Sequence, residues 1–174
     1  NMHFKVEDLI NKINAKLDST PLIYFVKDAE RALGLESILH NYHIICIEDN
    51  HIVDSLKKRG VDVFCTQQEG IVLESTSTKD LVKHPKVQDK IKAISNDGNF
   101  YAQFFQYQSP TRFTIEQLGG KVLNNTPELN RSLEDKISQD KFFRKYDVTI
   151  PQSLIVRLGD ISYIDIIDSI TTKE

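Results

Sequence analysis

The first apolar positions of the chain follow a helical period. Between residues 4 and 17, apolar side chains recur about every 3.6 residues, as in a helix that packs one face on a core; they are Val6, Leu9, Ile10, Ile13 and Leu17. The β-branched and aromatic run PLIYFV comes next, and its Pro21 suits the first residue of a strand. The pattern therefore predicts a helix followed by a buried strand.

Two more helix-and-strand units follow this strand. The segments AERALGLESILHN and NHIVDSLKKRG are predicted helices, and the second has Asn50 as a candidate N-cap and Gly60 at its end. The runs YHIICIED and VDVFCTQ are predicted strands. Strands that are apolar at nearly every position are typical of parallel sheets covered by helices on both faces. The predicted fold class is α/β, with a Rossmann-like, doubly wound and mainly parallel sheet.

The second half of the chain continues this alternation with more interruptions. TKDLVKHPKVQDKIKAI is predicted as two short helices, because Pro85 breaks the helical pattern. NFYAQFFQY and KVLNNT are predicted strands, IVLES is a candidate short strand, and SPTRFTIEQL is a predicted helix ended by Gly119 and Gly120. A long helix is predicted over residues 127–146 with Thr126 as its cap. SLIVRL and ISYIDIIDSI are predicted as a last strand and a last helix.

The composition is that of an ordinary globular domain. The 174 residues are 40% hydrophobic and 27% charged, with a net charge of −3, which suits one domain, alone or with a short appendage. No apolar run approaches the roughly 20 residues of a membrane helix, and the lysines form no basic stripe for a phosphate backbone. We therefore expect neither membrane insertion nor nucleic-acid binding.

The two cysteines, Cys46 and Cys65, each lie inside an apolar run and are predicted to be buried free thiols. The sequence has no Cys-x-x-Cys pair and no long apolar secretory core near its start. These features favour a cytoplasmic location. The opening Asn-Met is interpreted as a residue left from a cleaved tag, followed by the natural start at Met2.

The first strand-to-helix turn, FVKDAERALG, lacks the glycines with which Rossmann-like domains hold a pyrophosphate. Neither Gly-x-Gly-x-x-Gly nor Gly-x-x-x-x-Gly-Lys-Ser/Thr occurs in the chain, which argues against a dinucleotide dehydrogenase and against a P-loop enzyme. A phospho-signalling receiver domain is also disfavoured, because Gln67 and Gln68 follow the third strand where that fold needs an aspartate.

Three groups of side chains could carry chemistry, and each has a structural alternative. His40, His43 and His51 could ligate a metal, but the predicted elements put them at different ends of the sheet, which favours core or surface roles. An acid within residues 48–50 could meet a ribose at the carboxyl edge of the sheet, whereas a helix N-cap is favoured for Asp49 or Asn50. The aromatic run at residues 100–107 could stack on a base, although core packing is favoured.

Residues 99–158 contain four elements in a recognisable order: Gly120, the strand KVLNN, the helix PELNRSLEDKISQDKFFRKY and the segment TIPQSLIV. Together they resemble the junction between the N-terminal domain and the nucleotide-binding module of ATP-grasp ligases. That superfamily includes biotin carboxylase, carbamoyl-phosphate synthase and D-alanine–D-alanine ligase. The predicted βαβαβ start is similar to its pre-ATP-grasp domain.

The resemblance implies a division of the chain and one site residue. Residues 1–126 would be the pre-ATP-grasp domain, and residues 127–174 would be the linking helix and the first elements of the ATP-grasp module. Lys136, in the linking helix, would reach the phosphates of ATP. The alternative from the residues alone is a surface lysine that contacts Ser132 or Asp140 along the helix.

The resemblance also implies an activity. Such a ligase activates a carboxylate as an acyl phosphate with ATP and Mg²⁺, then transfers the acyl group to an amine or a related nucleophile. In that family the carboxylates that hold magnesium lie downstream of the resembling segment. The chain is therefore interpreted as a non-catalytic N-terminal part that lines the substrate cleft, packs on the rest of its own polypeptide or forms a homodimer. The alternative is a stand-alone Rossmann-like binding domain without ATP chemistry.

Overall fold

The computed structural model describes residues 5–129 and 135–150. The chain divides into two compact units, Asn1–Pro127 and Glu128–Glu174. The first unit contains a parallel sheet with helices on both faces, and the second contains the helix α6, Lys136–Lys145. Among the described helices, none has the length and apolar character needed to cross a membrane.

The sheet of the first unit has the strand order β3-β2-β1-β4-β5, and every neighbouring pair is parallel. The strands are β1 Leu22–Val26, β2 Tyr42–Cys46, β3 Asp62–Cys65, β4 Phe100–Phe104 and β5 Gly120–Val122. The chain moves outward from β1 to β3 and then returns to place β4 on the other side of β1. This winding confirms the Rossmann-like α/β class, and its reversal between β1 and β4 is the place where such sheets open a crevice.

Helices cover both faces of this sheet. They are α1 Val6–Leu17, α2 His51–Lys58, α3 Thr78–Lys83, α4 Pro85–Ile94 and α5 Ser109–Gln117. Successive side chains of β1 enter opposite cores, as the pleat of a strand requires. Tyr24 and Val26 pack in the core that contains side chains of α1 and α2. Ile23 and Phe25 pack in the core that contains side chains of α3, α4 and α5.

Local sequence signals set several boundaries as predicted. Asn50 caps α2, because its Oδ1 accepts hydrogen bonds from Ile52 N at 2.9 Å and Val53 N at 3.3 Å. Pro85 separates α3 from α4. Gly119 turns the chain from α5 into β5 with φ of +91°, a backbone conformation that favours glycine.

The helix predicted between β1 and β2 is wrong. Two short 3₁₀ turns, Ala29–Ala32 and Leu35–Ser37, take its place. Gly34 lies between them with φ of +100°, which interrupts an α-helix. The hydroxyl of Tyr42 donates to the carbonyl oxygen of Ala32 at 2.9 Å and holds the first turn on the sheet. Residues 71–75, a candidate strand, form no strand either.

Helix α1 forms as predicted, but much of its apolar face is not buried. Three of its apolar side chains are exposed, namely Val6, Leu9 and Ile13. Asn14, by contrast, is buried: its Nδ2 donates to Ile38 O at 2.9 Å and its Oδ1 accepts from His40 N at 2.9 Å. A buried amide that is satisfied at both ends anchors this helix through polar contacts that an apolar pattern does not encode.

The single long helix predicted over residues 127–146 is wrong. Residues 127–129 are helical, but Asp135 has extended backbone (φ −67°, ψ 120°) and begins α6 anew. Its carboxylate accepts a hydrogen bond from Ser138 N at 2.7 Å, as an N-cap does. Because a capping residue leaves helical geometry, one continuous helix cannot pass through it. The last predicted strand and helix, at 153–158 and 161–170, lie outside the described residues.

Candidate ligand-binding cleft

A polar cleft of about 270 Å³ opens at the carboxyl edge of the sheet, beside the reversal between β1 and β4. Lys27 and Asp28 directly follow β1, Glu48 comes shortly after β2, and Phe105 directly follows β4. The complete lining is Lys27, Asp28, Arg31, Glu48, Thr76, Thr78, Phe105 and Gln106. This is the position at which doubly wound sheets bind ligands.

Backbone hydrogen bonds bring Lys27 beside Glu48. The carbonyl oxygen of Lys27 accepts from Ile47 N at 3.0 Å and from Glu48 N at 2.9 Å, which ties the turn after β1 to the end of β2. The two side chains form an ion pair, with Nζ 3.1 Å from Oε1. Because both side chains are partly exposed, the pair adds little to stability, and both charges are open to a ligand.

The first 3₁₀ turn orients a second cation toward the cleft. Asp28 Oδ1 accepts a hydrogen bond from Glu30 N at 2.9 Å, which caps that turn. Within the same turn, the guanidinium carbon of Arg31 lies 4.5 Å from the ring centre of Phe105, within the range of a cation–π contact. The Arg31 Nε is also 3.9 Å from Asp28 Oδ2. Arg31 is therefore held between an aromatic face and a carboxylate.

The start of α3 and the loop before it supply the remaining wall. Thr78 is buried, and its hydroxyl donates to the carbonyl oxygen of Gln106 at 3.1 Å. Thr78 is the first residue of α3, so this bond joins the start of α3 to the turn after β4. Thr76, two residues earlier, is exposed and faces the same cleft. The cleft is thus lined by segments that follow four different strands, β1 to β4, and hydrogen bonds join several of these segments.

The prediction that Asp49 or Asn50 caps a helix is confirmed. Asn50 is the N-cap of α2, and Asp49 Oδ1 accepts a hydrogen bond from Gln68 Nε2 at 2.8 Å. Glu48 instead lines the cleft. The sequence signal for Glu48 was its position just after a buried strand, since the carboxyl ends of parallel strands share one edge.

The prediction of core packing for the aromatic run is wrong at Phe105. Phe100 and Phe104 are buried in the sheet, but Phe105 is 49% exposed and forms a wall of the cleft. Side-chain alternation applies only while the strand lasts, and β4 ends at Phe104. Arg31, the partner of Phe105, had no sequence signal, because the contact joins residues far apart in the chain.

Lys136 belongs to the second compact unit and is the first residue of α6. It is exposed, and its Nζ donates to Gln139 Oε1 at 3.2 Å. Of the alternative partners predicted along the helix, Ser132 lies outside the described residues, and Asp140 pairs with Arg144 at 2.7 Å. Contact between Lys136 and ATP stays a prediction.

The three histidines do not converge. His40 and His43 share the amino edge of the sheet, where their Nδ1 atoms lie 3.0 Å from Asp18 Oδ1 and 2.8 Å from Asp62 Oδ2. His51 begins α2 at the opposite edge. Within residues 5–129 and 135–150, no group of three or more His, Cys, Asp or Glu side chains is arranged to hold a metal ion.

The contacts of Asp62 with His43 and Lys90, here called the Asp62 network, lead us to predict that the stability of the fold decreases in acid. The hydrogen bond from His43, followed by the contacts of Lys90, lowers the pKa of Asp62 to about 2. Since the unfolded value is about 3.9, the network stabilises the fold above that pH, and this contribution is lost as the pH falls toward 2. We expect Asp62→Asn to lower the free energy of unfolding by about 1 kcal/mol near neutral pH, allowing for solvent screening of the partly exposed carboxylate.

Urea unfolding of the parent and Asp62→Asn proteins across the acid range measures this effect. The difference between them should shrink steadily as the pH drops. The exposed Asp18, which pairs with His40, offers a matched control, and Asp18→Asn should change stability by less than about 0.5 kcal/mol. A difference for Asp62→Asn that does not vary with pH would contradict the assigned network.

The two cysteines are buried free thiols, as predicted. They are register partners on β2 and β3, and Cys65 Sγ donates to the carbonyl oxygen of Ile47 at 3.5 Å. Burial raises the pKa of the Cys46 thiol, which keeps it protonated and unreactive.

No family model and no solved structure matches this chain. Among curated proteins, the chain is similar to elongation factor Ts of Campylobacter curvus (strain 525.92), with 25% identity over 105 residues. The match covers 60% of this chain and 29% of the other protein. The chain therefore spans less than a third of the length of the curated relative it matches.

Proposed function

We propose that residues 1–126 are the substrate-binding N-terminal domain of an ATP-dependent carboxylate–amine ligase of the ATP-grasp kind, and that Lys136 contacts the phosphates of ATP. The observation that carries the proposal is the charged cleft at the winding reversal of a Rossmann-like sheet whose first turn has no glycine-rich loop. Such a domain offers a small polar molecule a site while leaving the nucleotide to another part of the polypeptide.

The cleft itself does not fit a nucleotide. The triphosphate would meet the carboxylates of Asp28 and Glu48 at close range. The turn after β1 also presents no backbone N–H cradle of the kind glycine-rich loops form, since the carbonyl oxygen of Lys27 faces the end of β2 there. A volume of about 270 Å³ lies below the usual range for drug-sized ligands.

The proposal assigns ATP and Mg²⁺ to the segment that begins near Lys136 and to further parts of the polypeptide. Lys136 fits a phosphate contact because it is exposed, cationic and held at the start of a helix by the Asp135 cap. Bound ATP would supply the phosphoryl group that activates a carboxylate as an acyl phosphate. The first unit would bind and orient the molecule that takes part in acyl transfer.

A stand-alone binding domain is the second candidate function. The exposed apolar side chains of α1, Val6, Leu9 and Ile13, favour it, since a helix face of this kind suits contact with a partner. The similarity to elongation factor Ts supplies no substrate and no site residue to either candidate. The two candidates differ in whether the natural protein consumes ATP.

Nucleotide binding by the natural full-length protein tests the ligase proposal. We expect Lys136→Ala to weaken ATP binding about tenfold, the loss of one charge-assisted contact, as measured by calorimetric titration with Mg²⁺ present. Lys141→Ala removes the same charge from an exposed position of the same helix and should leave the affinity unchanged. Equal ATP affinity of the Lys136→Ala and parent proteins would remove this residue from the site. No ATP binding by the parent would favour the stand-alone candidate.

A further inference from the structure

The cleft lining balances two cations against two anions. Lys27 faces Glu48 at 3.1 Å, and Arg31 lies 3.9 Å from Asp28. At either pair, a ligand with one sign of charge would gain one favourable partner and meet one like charge at short range. A ligand that carries both signs can satisfy both kinds of side chain. We infer that the cleft binds a small zwitterion of the amino acid class.

The carboxylate of this ligand belongs at Arg31. The contact with Phe105, in which the guanidinium carbon is 4.5 Å from the ring centre, restrains the Arg31 side chain. The guanidinium N–H donors suit a two-point contact with a carboxylate. Lys27 lies in the same lining and adds a second positive charge. The contact of Arg31 with Asp28 is long, at 3.9 Å, so a ligand carboxylate competes with it easily.

The ammonium group belongs at Glu48. Asp28 is committed to the fold, because its Oδ1 caps the first 3₁₀ turn through Glu30 N at 2.9 Å. Glu48 Oε1 pairs with Lys27, the partner found for it among the described residues. When a ligand carboxylate engages Lys27, the partly exposed Glu48 carboxylate is open to a second cation, and the ligand ammonium supplies it.

The size and walls of the cleft restrict the ligand to a small molecule. A volume of about 270 Å³ suits one amino acid or a molecule of similar size, below the usual pocket range. The bond from Thr78 to the carbonyl oxygen of Gln106 fixes one wall, so the cleft is largely formed before the ligand enters. Preformed walls lower the entropy that binding must overcome.

The inference takes from the proposed function that this cleft is a substrate site, but binding of the zwitterion needs no ATP. The probes are the protein amino acids, their D-enantiomers and β-alanine, surveyed with the whole chain by saturation-transfer NMR and measured by calorimetry. For each ligand found, the N-acetyl derivative removes the ammonium charge and the methyl ester removes the carboxylate charge. We expect each derivative to bind about tenfold or more weakly than its parent, since each loses a charged hydrogen bond.

Side-chain variants connect these losses to the cleft. Arg31→Gln should weaken binding of the amino acid about tenfold, and this variant should bind the amino acid and its methyl ester with equal affinity. Glu48→Gln should similarly bind the amino acid and its N-acetyl derivative with equal affinity. Arg59→Gln is the matched control, because Arg59 pairs with Glu36 at 2.8 Å and takes no part in the cleft. Circular dichroism of each variant checks that it is folded.

Several outcomes would overturn the inference: no binding of any probe, equal binding of an amino acid and both derivatives, or unchanged binding by both folded variants. Amino acid binding without ATP binding by the natural full-length protein would support the zwitterion site and remove the ligase proposal. ATP binding that depends on Lys136, with no binding of any zwitterion, would support the ligase proposal and remove the zwitterion site.

Discussion

Phe25→Ala is expected to lower the free energy of unfolding by about 3–5 kcal/mol, the range for deleting a large aromatic side chain from a core. Phe25 is fully buried on the central strand β1, and its ring stacks on Phe104 with 4.9 Å between ring centres. The deletion removes the transfer free energy of the ring and leaves a cavity between β1 and β4. Urea unfolding of the parent and variant proteins measures the loss.

The exposed Phe113 provides the matched control. Its side chain is 64% exposed on α5, so Phe113→Ala should change stability by less than about 0.5 kcal/mol. The chemical change is the same, and only burial differs. Similar losses for the two variants would contradict the placement of Phe25 in the core between the sheet and its helices.

Gly119→Ala is expected to lower the free energy of unfolding by about 3 kcal/mol. Gly119 has φ of +91°, where an L side chain costs about 1–2 kcal/mol. A Cβ at this position would also overlap the carbonyl oxygen of Gly98, which is backbone and cannot rotate away. Moving that backbone costs about 1–3 kcal/mol more. The measurement is again urea unfolding.

Gly70→Ala separates the cost of positive φ from the cost of the steric overlap. Gly70 also has positive φ, +65°, but a Cβ there would meet no atom within 4 Å. We expect it to cost only the backbone term, about 1–2 kcal/mol. Equal losses at Gly119 and Gly70 would contradict the close approach of Gly119 to the Gly98 backbone.

Phe25→Ala also probes the scaffold beneath the cleft. Phe104, the stacking partner of Phe25, is the last residue of β4, and Phe105 follows it into the cleft wall. Asn124 also stabilises the end of β4, since Phe104 N donates a hydrogen bond to Asn124 Oδ1 at 2.8 Å. A side chain in the cleft is therefore positioned by a buried neighbour, so the order of the cleft depends on that core.

Part of the candidate site was accessible from the sequence. Lys27, Asp28 and Glu48 each follow an apolar strand closely, and the carboxyl ends of parallel strands meet at one edge. The contact between Arg31 and Phe105 was not accessible, because it needs the turn after β1 and the turn after β4 to be neighbours. That neighbourhood depends on strand order, which no local pattern specifies.

The amino-acid sequence by itself determined the elements whose causes are local. Apolar runs specified parallel strands, Asn50 began α2, Pro85 separated two helices, and Gly119 followed the end of α5. These signals are local because propensity, capping and backbone sterics act within a few residues.

Only the tertiary structure decided which elements became neighbours. It placed β4 beside β1, buried Asn14 while leaving much of the apolar face of α1 exposed, and divided the helix predicted before β2 into two 3₁₀ turns. The physical reason is that strand pairing and burial are contacts between distant residues, whose free energies override local preference when the chain closes into one sheet.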